Sequence, residues 1–174
     1  MKYYSGRGDG GETDTANSRV KKDSDTIELV GNLDELNAFL GYAINKTKYD
    51  DIKEALEKAE KKIYVISAIV TGYSELVKRE NLEITDKDTK ELEEYIDKFS
   101  EKTDNIIKFA YPNGSESACI INICRVSARK AERQAVKSKI KDKEILSYLN
   151  RLSSLLFVLF RLVNRRDSFK EKFF

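Results

Sequence analysis

The stretch "NICRVSARKAERQAV", residues 122–136, sets guanidinium groups at Arg125, Arg129 and Arg133 and a carboxylate at Glu132. At about 100° per residue these four fall within about one-third of a helix turn. Beside them runs a second stripe, Ile120, Cys124, Ala128, Ala131 and Ala135, apolar and mostly small, of the kind a helix buries. Positive charges stacked at i, i+4 and i+8 repel one another unless an anion neutralises them. The planar fork of arginine binds carboxylates and phosphates through paired hydrogen bonds, so this row suits an anionic ligand. Pairing with Asp34 inside the chain is the competing structural reading.

Other candidate residues are less decisive alone. The last apolar segment carries Asn150, Ser154, Phe157 and Arg161 at i, i+4, i+7 and i+11. That stripe is either functional or a solvent-facing strip with one snorkelling arginine. Near residue 35, Asp34, Asn37 and Gly41 share a face, and Asp34 and Glu35 also read as solvated surface charge. Four of the eight glycines lie between Gly6 and Gly11, in "SGRGDGGET". Backbone N–H groups from Gly8 to Gly11 can form an anion-binding nest, with Arg7, Arg19 and Lys22 adding charge. A disordered N-terminal stretch accounts for the same composition. It is not a Walker loop, since the Gly-Lys-Ser/Thr ending is missing and no strand precedes it.

These residues need a frame. A chain of 174 residues with 36 % charged and 40 % apolar residues and a single proline, Pro112, favours one domain of long amphipathic helices. Leu29, Leu33, Leu36, Leu40 and Ile44 predict a first helix from about Ile27 to Lys46. A second is predicted from about Asp51 to Lys78, and a third begins near Asp86, capped by Thr85 or Asp86. Residues 103–114 read as an extended connection closed by Pro112, Asn113 and Gly114. Ser115 caps the arginine helix, expected to reach about Lys139, and a final helix from about Lys143 to Asn164 is apolar almost all round. The expectation is an all-α, up-and-down bundle of five helices (residues 26–174) with a glycine-rich arm (residues 1–25).

Composition also excludes. A net charge of +2 gives no reason to expect nucleic-acid binding. "MKYYSGRGDGG" has no apolar signal core and Arg161 interrupts the run "LLFVLF", which predicts neither a secretion signal nor a membrane span. Cys119 and Cys124, about 140° apart on one helix, are badly placed to pair, which fits a reducing cytoplasm. The chain has no histidine, and with it no Ser-His or Cys-His nucleophile. Any reaction here should need little proton transfer by the protein.

Read in order, a glycine-rich arm, "RVKKD", "VGNLDELNAFLG", "CRVSARKAERQAV" and "YLNRLSSLLFVLFRLVN" together resemble the propanediol-utilisation type of ATP:cob(I)alamin adenosyltransferase over nearly the full length. The pattern R-x-x-x-R-[RK]-A-E-R with a later N-R-L-S carries most of the resemblance, and G-x-L-D-E-L-N strengthens it. The resemblance implies a five-helix bundle assembled as a homotrimer, with ATP and corrinoid bound between subunits. It assigns Ser5, Gly6, Arg7, Gly8, Thr13, Asp14 and Lys22 of the arm to ATP, with Arg19 nearby. Arg129, Lys130, Glu132, Arg133 and Asn150 would complete the nucleotide site. It further implies an inter-subunit ion pair between Asp34 and Arg125, and a place for Phe109 at the lower face of the corrin. Asp34, Phe109, Arg125 and Arg129 are thus the expected catalytic group. Phe109 alone would otherwise read as ordinary core packing.

The implied chemistry suits a chain without histidine. Cob(I)alamin, as substrate, attacks the 5′ carbon of Mg²⁺-bound ATP and expels triphosphate, so the nucleophile loses no proton and the leaving group needs no acid. An apolar ring below the cobalt would remove its lower ligand and make reduction from cob(II) to cob(I) easier. Family arms read T-[KR]-T-G-D-K-G, whereas Arg7 and Gly10 stand here at the second Thr and the Lys. Asp14 replaces a common Ser, a carboxylate able to hold Mg²⁺ or to repel phosphates. The metal ligands are left unassigned. Two other functions remain open from the residues: a corrinoid carrier without catalysis, and a helical interaction module presenting an arginine face.

Overall fold

Four helices begin where side chains can hold free backbone N–H groups. Ser24 accepts from the Ile27 N–H (3.4 Å), Ser115 from Ala118 (3.4 Å), and Asp142 from Glu144 and Ile145 (3.0 and 3.1 Å). At the third start the Asp88 carboxylate accepts from the Thr85 N–H at 2.7 Å and its hydroxyl at 2.9 Å. The computed structural model describes residues 2–73, 79–80, 82–106 and 108–174. Among the described residues five helices form: α1 (Asp25–Lys46), α2 (Asp50–Val70), α3 (Asp86–Ser100), α4 (Glu116–Lys137) and α5 (Lys143–Arg166).

Two expectations change. The second helix stops at Val70 rather than continuing towards Lys78: the Thr71 hydroxyl turns back to the Ser67 carbonyl (2.7 Å) and Gly72 adopts φ +76°. Residues 74–78 of the expected stretch lie outside the described residues. In the arm, β1 (Glu12–Asp14) and β2 (Arg19–Lys21) form an antiparallel hairpin that the glycine-rich composition concealed. Its register pairs Glu12 with Lys21, Thr13 with Val20 and Asp14 with Arg19, so opposite charges and β-branched residues face one another.

α4 lies between α1 and α5, α2 covers the far side of α1, and α3 the far side of α5. Direction alternates along the chain. Asp25 meets Lys137 while Lys46 meets Glu116, so α1 and α4 run antiparallel. Asn150 meets Glu132 while Asn164 meets Ser115, which makes α4 and α5 antiparallel too. The expected stripes form the core: Leu29, Leu33, Leu36 and Leu40 of α1, Cys124, Ala128, Ala131 and Ala135 of α4, and Leu149, Leu152, Leu155, Leu156, Leu159 and Val163 of α5 are all fully buried. Each such leucine contributes about 1.5–3 kcal/mol. By length and composition α5 is apolar enough to cross a membrane, and 61 % of its most apolar window is buried inside the bundle.

Candidate active site

The small residues on the buried side of α4 let α1 approach closely and leave the arginine side outermost. Arg129 and Arg133 are exposed and Arg125 is half-buried. Among the described residues none of the three pairs with a carboxylate, and Glu132 instead accepts the Asn150 amide at 2.7 Å. Arg129, Glu132, Arg133, Val136 and Asn150 line a surface cavity of about 310 Å³. Arg125 donates from Nε to Asn122 Oδ1 at 2.7 Å and lies 5.9 Å from the centre of the Phe157 ring. Burial, and then the charge of Arg129, push the Arg125 pKa down. An anion entering here would relieve that repulsion.

Lys130, expected with these residues, turns instead to α1 and pairs with Glu35 at 2.7 Å, away from the cavity. The rotation of about 100° from Arg129 to Lys130 decides this, because it turns Lys130 to the side of α4 that meets α1. Asn122 was missed, although its position three residues before Arg125 is a readable signal.

The arm gathers its own set. Arg7 Nη2 and Arg19 Nη1 each lie 3.2 Å from Asp14 Oδ1, and Arg19 Nε donates to Glu12 Oε2 at 2.8 Å. Arg19 also donates to the Arg7 carbonyl. Ser5 Oγ accepts the Arg7 N–H at 3.3 Å, and a Cβ added to Gly8 would sit 3.1 Å from Lys22 Nζ, which places the ammonium over the Gly8 backbone. Thr13 is held half-buried in the hairpin. Ser5, Gly6, Arg7, Gly8, Asp14, Arg19 and Lys22 therefore belong to one folded unit. Of the N–H groups expected to form a nest from Gly8 to Gly11, those of Asp9 and Gly11 instead close turns onto the Gly6 and Gly8 carbonyls at 3.3 Å each. Gly6 and Gly11, at the outer ends of those turns, take φ +70° and +81°, a left-handed conformation that glycine adopts without a steric penalty. Asp14 meets two guanidiniums rather than standing as a bare carboxylate.

Within one chain no described arm residue lines the arginine cavity. The hairpin turn docks on the end of α2, where the Ala16 N–H donates to the Thr71 carbonyl at 3.2 Å. Among the described residues no hydrogen bond or ion pair joins the arm to Arg129, Arg133 or Asn150. Asp34 and Arg125 are also not brought together. Asp34 is exposed and lies about 20° around α1 from Gly41, and about 100° from Glu35. The Gly41 side faces Glu60 of α2, whereas the Glu35 side faces α4. Intramolecular pairing of Asp34 with the arginine row is thereby overturned.

Phe109 is 85 % exposed, which removes the core-packing reading. Its connection is fastened by Asn164, whose Oδ1 accepts the Ser115 N–H and whose Nδ2 donates to the Asn113 carbonyl, both at 3.1 Å. Asn164 is fully buried, and a Cβ at Gly114 would overlap its amide. Arg161 corrects another expectation: it does not snorkel to solvent but is buried against Glu171. An asparagine and an arginine inside an otherwise apolar helix were the signals available for both.

Residues 3–163 match the family model described as cobalamin adenosyltransferase. The corrinoid adenosyltransferase of Bacillus subtilis (strain 168) is 34 % identical over 177 residues, covering 96 % of this chain and 89 % of that one. Corrinoid adenosyltransferase MMAB of Bos taurus is 29 % identical, covering 99 % and 76 %. A variant of the PduO-type ATP:corrinoid adenosyltransferase from Lactobacillus reuteri, solved with cobalamin and ATP, superposes with a TM-score of 0.89 at 24 % identity and covers 99 % of both chains. At that identity the superposition speaks for the fold. The matched region takes in the arm, the arginine row and nearly all of five alternating helices, and the chain belongs to the cobalamin adenosyltransferase family.

Proposed function

We propose that this protein is an ATP:corrinoid adenosyltransferase, moving the 5′-deoxyadenosyl group of ATP onto the cobalt of reduced cobalamin. The observation that carries the reading is the row of guanidiniums without carboxylate partners among the described residues, at a cavity of about 310 Å³ beside Asn150. Its chemistry fits a polyphosphate, and the carboxylate that lines it, Glu132, is engaged by the Asn150 amide. As cobalt(I) forms its bond to C5′, the C5′–O bond breaks and the electron pair leaves on triphosphate. Arg129 and Arg133 are assigned to that developing charge, Asn150 and Glu132 to the orientation of the nucleotide, and Phe109 with Arg125 and Asp34 to the corrinoid.

The separation of arm and arginine face within one chain supports a homotrimer in which one subunit's arm closes on the next subunit's cavity. In this arrangement residues 1–25 act as the nucleotide arm, residues 26–174 as the bundle, and Asp34 meets a neighbouring Arg125. Lys22 and Arg7 then supply the arm's charge. Asp14, already bridged by Arg7 and Arg19, fits neutralisation of the arm better than a Mg²⁺ ligand, so Mg²⁺ is assigned to the nucleotide itself. The cytoplasm, where reduced cobalamin persists, is the proposed compartment.

Adding ATP and Mg²⁺ to the protein with reduced cobalamin tests the reading. The spectrum should convert to that of a light-sensitive alkylcobalamin. Corrinoid binding without conversion would identify a carrier instead, and an unchanged spectrum without binding would leave an interaction module.

A further inference from the structure

Arg161 is 5 % exposed in the last third of apolar α5, and a charge in such a place needs partners. Its Nε and Nη2 donate to Oε1 and Oε2 of Glu171 at 3.0 and 2.9 Å, and the two side chains are 6 % and 17 % exposed. Nη1 donates to the Asp104 carbonyl at 2.9 Å. One guanidinium therefore ties α5 both to the start of the 103–114 connection and to the segment that follows α5.

Beyond Glu171 that segment runs antiparallel to the connection. The Tyr111 N–H donates to the Lys172 carbonyl and the Phe174 N–H to the Phe109 carbonyl, both at 2.9 Å, with Ala110 opposite Phe173. Residues opposite one another in such a ladder project to the same side, and neighbours alternate. Phe109 and Phe174 thus share one side, where they are 85 % and 84 % exposed. Packing against the core does not orient Phe109; its backbone is held by 172–174. Two surface hydrogen bonds do not by themselves order such a segment against its conformational entropy. The buried two-pronged anchor one residue earlier does.

We propose that the Arg161–Glu171 pair is a positioning device: it holds residues 172–174 against the backbone of 109–111, and so sets Phe109 for the corrinoid without acting on ATP. This rests on the adenosyltransferase reading above. Glu171→Gln in the full chain tests it, with corrinoid binding, ATP binding and amide exchange measured without turnover. Corrinoid affinity should fall about tenfold while ATP affinity stays within about twofold, and the Tyr111 and Phe174 amides should lose protection. Glu171→Asp, which keeps the charge, should recover part of the loss. If the lone charge prevents folding, the double variant Arg161→Met with Glu171→Met keeps the bulk without an unpaired guanidinium, and should give the same selective loss. Equal losses of ATP and corrinoid affinity would reduce the pair to general stability and overturn the proposal. So would retained amide protection with unchanged corrinoid binding. Should the unaltered protein bind no corrinoid, the functional reading itself fails; should it bind and the variants match it, only the positioning role fails.

Discussion

Arg129 and Arg125 sit one turn apart on the same helix yet meet different surroundings, and the proposed roles differ accordingly. Arg129 is exposed at the cavity, free to take a phosphate, whereas Arg125 is held by Asn122 and the Phe157 ring. Replacing Arg129 with alanine should lower kcat/KM for ATP about a hundredfold, the order found when one donor to a developing anion is removed. Lys139→Ala, outside the cavity, should stay within about twofold in the same steady-state assay. Equal rates for the two variants would detach the arginine row from ATP. Phe109→Ala should cost about tenfold or more when turnover starts from cob(II)alamin, and clearly less when cob(I)alamin is generated chemically. Identical losses from both starting states would rule out the proposed ligand-displacing role for the ring. Arg7 and Asp14, read separately as departures from the family pattern, meet each other at 3.2 Å. Each makes the other tolerable in a way that neither residue reveals alone.

Among the elements, the join between α5 and the start of α4 fastens the connection that bears Phe109. Gly114 lies so close to the Asn164 amide that a methyl group cannot be added without displacing it. That amide in turn satisfies Ser115 at the head of α4 and the Asn113 carbonyl in the connection bearing Phe109. Gly114→Ala should therefore destabilise the fold by about 1–3 kcal/mol, a fall of several degrees in Tm. Thermal denaturation followed by circular dichroism measures it, and an unchanged Tm would mean that the asparagine gives way freely. The bundle itself was legible in the sequence, because leucines three and four apart on α1 and α5 can be buried in only one way. Helix ends were legible where a side chain marks them, as at Ser115. The end of α2 was not, since the apolar pattern runs past Val70 and only the backbone at Thr71 and Gly72 breaks it.

At the scale of the whole molecule, ends of distant helices are joined by charge. Asp51 at the start of α2 meets Arg166 at the end of α5 through two contacts of 2.6 Å. Those hydrogen bonds from Arg166 hold the Asp51 carboxyl below its ordinary 3.8. A carboxyl depressed in the folded state lends stability that is complete above its unfolded value and lost as the pH falls through the folded one. Stability should thus decline below about pH 4, and Asp51→Asn should be less stable at neutral pH with a shallower acid decline. Urea titrations at pH 7 and pH 3 compare the two, and parallel acid declines would rule out the contribution. The proposed trimer yields a sharper test. Arg129→Ala and an arm variant such as Lys22→Ala, each impaired alone, should recover part of the activity when refolded together, because a mixed trimer contains one site with both halves intact. No recovery on mixing would place the complete site within a single chain.

Residue order alone determined the helical class, the buried stripes, the arginine row and the resemblance from which the chemistry followed, since helical spacing and side-chain type are local properties. Only the tertiary structure decided which charges are free. Lys130 and Glu35, Arg161 and Glu171, Arg7 and Asp14 find one another across turns or between helices, while Arg125, Arg129 and Arg133 meet no carboxylate among the described residues. The physical reason is that pairing depends on distance through space, which two charges far apart in sequence acquire only when the bundle closes around its core.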